Sequence, residues 1–390
     1  MINNLKIDNF KSIQSVSVDL KFLNILSGIN GAGKSTLCQA LLLIQQYVKT
    51  LSSPNGGDAN FSINHKDFSL GKANDVLFEG ASSDFIKLGF DCIVEKQLNN
   101  INFHLDANNK KMDHLRIVKE KSKLDFSAVK PFIETMKYLR PDRIGPSVIQ
   151  NQNDEKVVEQ RIIGSSGEYA YSYIDKHSQK YSQDILSDIE NRVHIESLSD
   201  SLIDQVSSWL GEISPGINLK TKELEGTSLV NLSYSFNTKI GKSNDYRTTN
   251  VGFGITYCLP VILLCLLSKK GEIIIIDTPE AHLHPKGQVI LGELLAKTAA
   301  DGVQVIVETH SDHIINGVRK AIIKGYLKTE HVNFLHFQLL DDKKSKIPCS
   351  DIVSPKLSAN GTFNNWPSGF FDEWTITNKE LLELRTTLNL

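Results

Sequence analysis

Within GINGAGKST, residues 28–36, Gly28, Gly33, Lys34 and Ser35 fill the fixed places of G-x-x-x-x-G-K-[ST]. Residues of these types at this spacing suit phosphate binding. The glycines let successive backbone N–H groups, across Asn30, Gly31, Ala32, Gly33 and on to Thr36, turn toward phosphate oxygens, and a helix that follows adds the positive end of its dipole. Lys34 is placed to reach the terminal phosphates, and the Ser35 hydroxyl to ligate magnesium. A second GKS at residues 241–243 has no Gly five residues earlier and no buried helix after it, so it reads as a turn.

Two apolar runs end in groups that could complete such a site. In GEIIIIDTPEAHLHP, residues 271–285, four Ile precede Asp277. An unbroken β-branched run predicts a strand buried on both faces, and open α/β sheets bind ligands at the C-terminal ends of their strands. Asp277 would hold magnesium through water, with Glu280 as the second acid. The run VQVIVETHSD ends at Thr309 and His310. His310 could bond the γ-phosphate or position the attacking water, or serve structure alone. His282, His284 and His313 lack the Cys or carboxylate spacing that zinc would need.

The elements around these residues can be read from patterning. Short period-two stretches at 5–10, 16–20 and 22–26 predict a small sheet, and TLCQALLLIQQYV predicts a helix of about four turns directly after Ser35. SSPNGGDAN, residues 52–60, reads as a loop, and FIKLGFDCIV, INFHLDA and HLRIVKEK as strands. Helices are expected at 128–139 and 183–210, with a turn at RPDRIGP between them. A strand at 229–236 precedes a helix-strand alternation from 255 to 337, which argues for a mostly parallel sheet with helices packed on it. The organisation expected is a phosphate-loop lobe at 1–95, an inserted strand and helical region at 96–225, a core carrying the second half of the site at 226–340 and a short C-terminal domain at 341–390.

Composition narrows the rest. Hydrophobic residues make up 40% and charged ones 23%, which is globular usage. Forty-three Lys plus Arg stand against 45 Asp plus Glu, so a globally basic nucleic-acid coat is excluded. The apolar run 257–267 is 11 residues with a Pro inside, a buried helix and not a membrane span. With no signal-peptide pattern at the N-terminus, the expectation is a cytoplasmic protein without a membrane partner. The five cysteines form no CxxC pair and read as buried thiols.

Taken together, these residues and the opening LKIDNFKSI resemble ABC-type P-loop ATPase heads of the SMC, RecF and OLD-nuclease kind, an AAA-family likeness over most of the chain. The resemblance implies an α/β fold: a mixed sheet with helices on both faces, an inserted α+β middle region and a short C-terminal domain. NVGFGITYCLPVILL, residues 250–264, is similar to the signature segment of one branch, which maps Gly252, Gly254 and Thr256 onto the turn that clamps the γ-phosphate held by an opposite protomer. That implies a homodimer, or a larger even-numbered oligomer, closed around ATP and Mg2+. RIGP at 143–146 resembles a segment near the nucleotide, leaving Arg143 as either a nucleotide contact or a salt-bridge residue. Gln45 and Gln46 are not assigned as the magnesium-contacting Gln of such heads.

PEAHLHPKGQ, ETHSDHIINGVRKAI and NNWPSGFFDE resemble bacterial ATPases with a short C-terminal WPxGFFDE domain, similar to the ATPase of Septu-type anti-phage systems. The resemblance implies a separate effector, an HNH nuclease or another toxic protein, because about 50 residues after the last core strand leave no room for an OLD-type nuclease. In the tail, Trp366, Phe370 and Phe371 read as an apolar anchor onto the core. One departure stands out: Thr278 occupies the place where ABC heads put a catalytic Glu. Hydrolysis would then rely on Glu280 or His310, or be slow. The alternatives are a RecF-like DNA-repair ATPase and a nucleotide-locked scaffold. DNA binding would call on KKMDHLRIVKEKSK, with six Lys or Arg against two acids, a pattern that also suits a solvated hairpin edge.

Overall fold

In the computed structural model, residues 1–51, 60–94, 97–118, 126–180, 189–340 and 347–387 are described. The alternating opening residues form β1 (Ile2–Phe10) and β2 (Ile13–Asp19), an antiparallel pair, while β3 (Leu23–Gly28) leaves them for another sheet and leads into helix α1 (Lys34–Leu51). Next come β4 (Asn60–Ser62), β5 (Phe85–Val94), β6 (Gln97–Asp106) and β7 (His114–Val118). They complete an antiparallel sheet in the order β2-β1-β5-β6-β7-β4. The loop expected at 52–60 falls, but for Asn60, outside the described residues, as do residues 119–123 of the basic segment.

The middle of the chain holds α2 (Phe126–Glu134), β8 (Lys137–Leu139), β9 (Ile149–Asn151), α3 (Ala170–Lys180), α4 (Leu202–Ile213), β10 (Ile217–Glu223) and β11 (Leu229–Thr238). Two expectations are corrected here. The helix expected to run to Leu139 stops at Glu134, and residues 137–139 become an edge strand of the core sheet. Gln45 of α1 donates its Nε2 to the carbonyls of Glu134 and Met136, which caps the end of that helix. Of the helix expected at 183–210, residues 183–188 lie outside the described residues, 189–201 form turns and bends, and the helix begins at Leu202, where the Ser201 hydroxyl accepts the Asp204 amide as an N-cap.

The alternation after residue 250 is as the pattern predicts: α5 (Phe253–Leu267), β12 (Ile273–Asp277), α6 (Pro285–Ala300), β13 (Gln304–Glu308), α7 (Asp312–Ile323) and β14 (Val332–Leu340). Strand β15 (Cys349–Val353) and helix α8 (Glu373–Thr387) close the chain. The core sheet runs β8-β12-β13-β3-β14-β15, with every pair parallel except the last. Alternate side chains of β12 enter different cores. Ile274 and Ile276 pack with α5 and α6, while Ile273 and Ile275 pack with α1 and the antiparallel sheet. Each such buried aliphatic side chain contributes about 1.5–3 kcal/mol, which is why this run tolerates no polar residue before Asp277.

The tail is anchored as expected through Phe370, which is fully buried against the core, with Phe371 packed beside it. Trp366 stays half exposed at the edge of that aromatic cluster. Among the described residues no helix is long and apolar enough to cross a membrane.

Candidate functional site

The strand order brings three strand ends together. Strand β13 lies between β12 and β3, so the C-terminal ends of all three open beside the start of α1. The loop between β3 and α1 is held tightly from below. A Cβ on Gly28 would lie 2.1 Å from the Phe337 carbonyl oxygen of β14, and its φ of 131° is one that L side chains rarely adopt. Asn30 and Gly31 face solvent, whereas Ala32, Gly33 and Thr36 are buried. Lys34, also buried, folds its Nζ back onto the carbonyls of Gly28 and Ile29 at 2.9 Å each. Burial pushes its pKa down, against the pull of Glu308 and Asp277.

Three carboxyls crowd the same end of the sheet: Asp277, Glu280 and Glu308, each less than a tenth exposed. Asp277 accepts the Thr278 hydroxyl at 2.7 Å on one oxygen, and burial raises its pKa. Glu280 spends Oε1 on the His310 amide at 2.7 Å, leaves Oε2 without a partner, and is likewise raised by burial. Glu308 accepts the Ser35 hydroxyl at 2.9 Å on Oε1, and its Oε2 is buried without a partner. Burial, then the neighbouring Asp277, pushes the Glu308 carboxyl up to about 7. His310 is exposed at the rim, with a pKa pushed down by burial and by Lys34. Carboxylates and a hydroxyl are hard oxygen donors of the kind magnesium prefers, so the residues present fit a divalent cation beside a phosphate-binding loop.

Beyond Asp277 the chain turns sharply, with Thr278 at φ 50° and His282 at φ 63°. Arg143 holds that turn. Its guanidinium, 3% exposed, donates to the Asp277 carbonyl at 2.8 Å and the Thr278 carbonyl at 2.7 Å, and lies over the Tyr257 ring of α5. Among the described residues Arg143 forms no ion pair, so the salt-bridge reading from sequence is corrected: the guanidinium braces the end of the Asp277 strand. The N-terminal tip of α5 packs on the same turn, since a Cβ on Gly254 would meet the His282 carbonyl oxygen at 2.3 Å. Gly252 is open to solvent and Phe253 is 55% exposed, but Thr256 is buried against Tyr234 and does not share the open tip.

A groove of about 410 Å³ runs past Ser35, Cys38, Gln39, Tyr138, Arg140 and Asp277, and a larger cavity of about 890 Å³ adjoins it through Tyr138, Lys66 and Asp67. Gln45, which lines the larger cavity, and Gln46 both bond to main-chain carbonyls, and neither lines the groove beside Ser35 and Asp277. Sequence reasoning missed Glu308. The signal was present, because VIVE ends an apolar strand in an acid just as IIIID does, but only the strand order sets the two acids side by side.

Residues 1–315 match the family described as AAA ATPase domain, and residues 327–384 match one described as protein of unknown function, DUF3696. Among solved structures, an Smc head bound to the C-winged helix domain of ScpA is similar at 14% identity and a TM-score of 0.52, covering 91% of this chain and 98% of that one. An Smc head domain with an extended coiled coil, bound to the C-terminal domain of ScpA and derived from Pyrococcus furiosus, is similar at 14% identity and a TM-score of 0.51, covering 98% and 99%. At such identity the likeness is one of fold, that of an SMC-type P-loop head. A search of curated proteins finds no match.

Proposed function

The chain belongs to the AAA ATPase domain family, and from that premise we propose that it binds ATP with magnesium at Ser35 and Asp277, hydrolyses it slowly, and pairs with a second copy around it. The observation that carries this is convergence. Lys34 and Ser35 on one side, and Asp277 and Glu308 on the other, meet at adjoining strand ends although the chain separates them widely. Phosphates would lie against the amides from Asn30 to Thr36, and Lys34 would leave the Gly28 and Ile29 carbonyls to reach the terminal group. A bound magnesium ion would neutralise charge on the outer phosphates.

Water activation falls to residues outside the usual place. Thr278 cannot take a proton, and its hydroxyl is engaged with Asp277. Glu280 has a free buried oxygen and the neutral His310 ring faces the rim, so these two are the groups left to orient water or bond the γ-phosphate. Pairing would bring the α5 tip, Gly252 and Gly254, to the loop of the other copy. In support, both surfaces carry exposed apolar side chains, Phe253 on the tip at 55% and Ile29 on the loop at 56%. The role we infer is a cytoplasmic head that controls a separate effector, a nuclease in antiviral defence. That part is supported by the NNWPSGFFDE resemblance.

Phosphate release by the full chain and by Lys34→Ala, with light scattering with and without Mg-ATP, tests the proposal. The wild type should release phosphate and double in mass with ATP, and the variant should do neither. Equal release from both proteins, with a mass indifferent to ATP, would sink it. The Thr278–Asp277 hydrogen bond favours one second reading, a nucleotide-locked scaffold, which predicts mass doubling with no release.

A further inference from the structure

We propose that Glu308 is a direct ligand of the divalent cation, so that the metal is held by two carboxylates, Asp277 and Glu308, together with the Ser35 hydroxyl. The inference rests on the nucleotide reading above and replaces Glu280 as the second acid. Asp277 and Glu308 stand directly opposite each other on neighbouring parallel strands. Residues so paired project to the same side of the sheet with backbones about 5 Å apart. Because β13 lies between β12 and β3, Glu308 is interposed between Asp277 and the phosphate loop.

Its hydrogen bonds point the same way. One oxygen meets the Ser35 hydroxyl at 2.9 Å, which fixes the carboxyl at the residue expected to ligate magnesium. The other oxygen has no partner although the residue is only 5% exposed. A buried polar atom left without a partner keeps its full desolvation penalty, which is larger if the group is charged. The resident cations do not relieve it. Lys34 Nζ is bonded to the Gly28 and Ile29 carbonyls, and the Arg143 guanidinium to those of Asp277 and Thr278. Glu280 also has a buried, unpartnered Oε2, but its Oε1 is committed to the His310 amide where that of Glu308 is committed to Ser35, so it is not fixed at the hydroxyl expected to ligate the metal. A hard divalent cation between Asp277, Glu308 and Ser35 would satisfy the free oxygen and balance the crowded acids.

The test is Mn2+ binding, followed by electron paramagnetic resonance on the full chain, alone and with ADP. Binding of a fluorescent ATP analogue in EDTA is measured alongside. E308Q should bind Mn2+ about tenfold or more weakly, while E280Q stays within about twofold of wild type. In EDTA, E308Q should bind the analogue as tightly as wild type or more so, since a negative charge beside the phosphates is gone. Circular dichroism checks folding. Should E308Q not fold, E308D keeps the charge, shortens the reach by one methylene, and should bind Mn2+ several-fold more weakly. Wild-type Mn2+ affinity in the variant that folds overturns the proposal even if phosphate release is lost, because Glu308 would then act on a proton or on structure. Wild-type protein that takes up no Mn2+ in either arm overturns it as well. Failure of the analogue to bind wild type would instead refute the nucleotide reading, leaving Glu308-dependent Mn2+ uptake to stand or fall separately.

Discussion

Replacing Arg143 should separate catalysis from nucleotide binding. Arg143→Met removes the donors to the Asp277 and Thr278 carbonyls, at 2.8 and 2.7 Å, from a position only 3% exposed where water cannot readily substitute. The Thr278 carbonyl keeps the Ala281 amide at 3.3 Å, so the Asp277 carbonyl is the one left without a donor, at about 1–3 kcal/mol. The turn that Arg143 holds carries Thr278 at φ 50°, a conformation that costs about 1–3 kcal/mol in a residue with a side chain. Loss of the brace is therefore comparable to the strain it restrains, and the turn should relax and carry the backbone of Asp277 with it. A shift of about 1 Å at a reacting centre can cost roughly a hundredfold in rate. The expectation is a kcat for phosphate release lower by about that factor. Binding of a fluorescent ATP analogue in EDTA should change by less than about threefold, because the Arg143 hydrogen bonds go to the Arg140, Asp277 and Thr278 carbonyls and not to the phosphate loop. Arg143→Lys should not rescue, since a single ammonium lacks the planar fork that spans two carbonyls. A variant with wild-type kcat, or one that loses binding in EDTA as completely as Lys34→Ala, would refute the reasoning.

Gly254→Ala should push the α5 tip away from the 277–284 turn, because the added carbon would sit 2.3 Å from the His282 carbonyl oxygen. Light scattering should then find ATP-dependent pairing lost, while single chains still bind nucleotide in EDTA; unchanged pairing would place the clamp elsewhere. His336 supplies a pH dependence. It is 2% exposed, its Nδ1 lies 3.4 Å from the Ser27 hydroxyl, and its ring meets Phe370 edge-on. Burial lowers its pKa below 6.5, so the unfolded chain takes the proton first. Stability present above pH 6.5 should be lost progressively as pH falls below it. Urea unfolding of the wild type at pH 7.5 and 5.5 should show that loss, and His336→Gln a smaller one; equal pH dependence in both would exclude His336 as its source.

Much of this was written in local pattern. The fixed spacing from Gly28 to Ser35 defines a phosphate loop because its chemistry needs only neighbouring residues, and the four Ile before Asp277 define a buried strand because both faces must be apolar. The helix-strand alternation after residue 250 likewise follows from periodicity within each element. What sequence could not supply is which strand lies beside which. Residues 137–139 look helical until the open edge of β12 offers them hydrogen bonds, and Thr256, three residues into a helix that opens to solvent, turns inward onto Tyr234. Arg143 and Glu308 gain their parts only when distant segments close on the Asp277 turn. Hydrophobic period and loop chemistry are properties of short runs, whereas the meeting of two buried carboxyls with one serine depends on long-range strand order, and that is decided by the packing of the whole sheet.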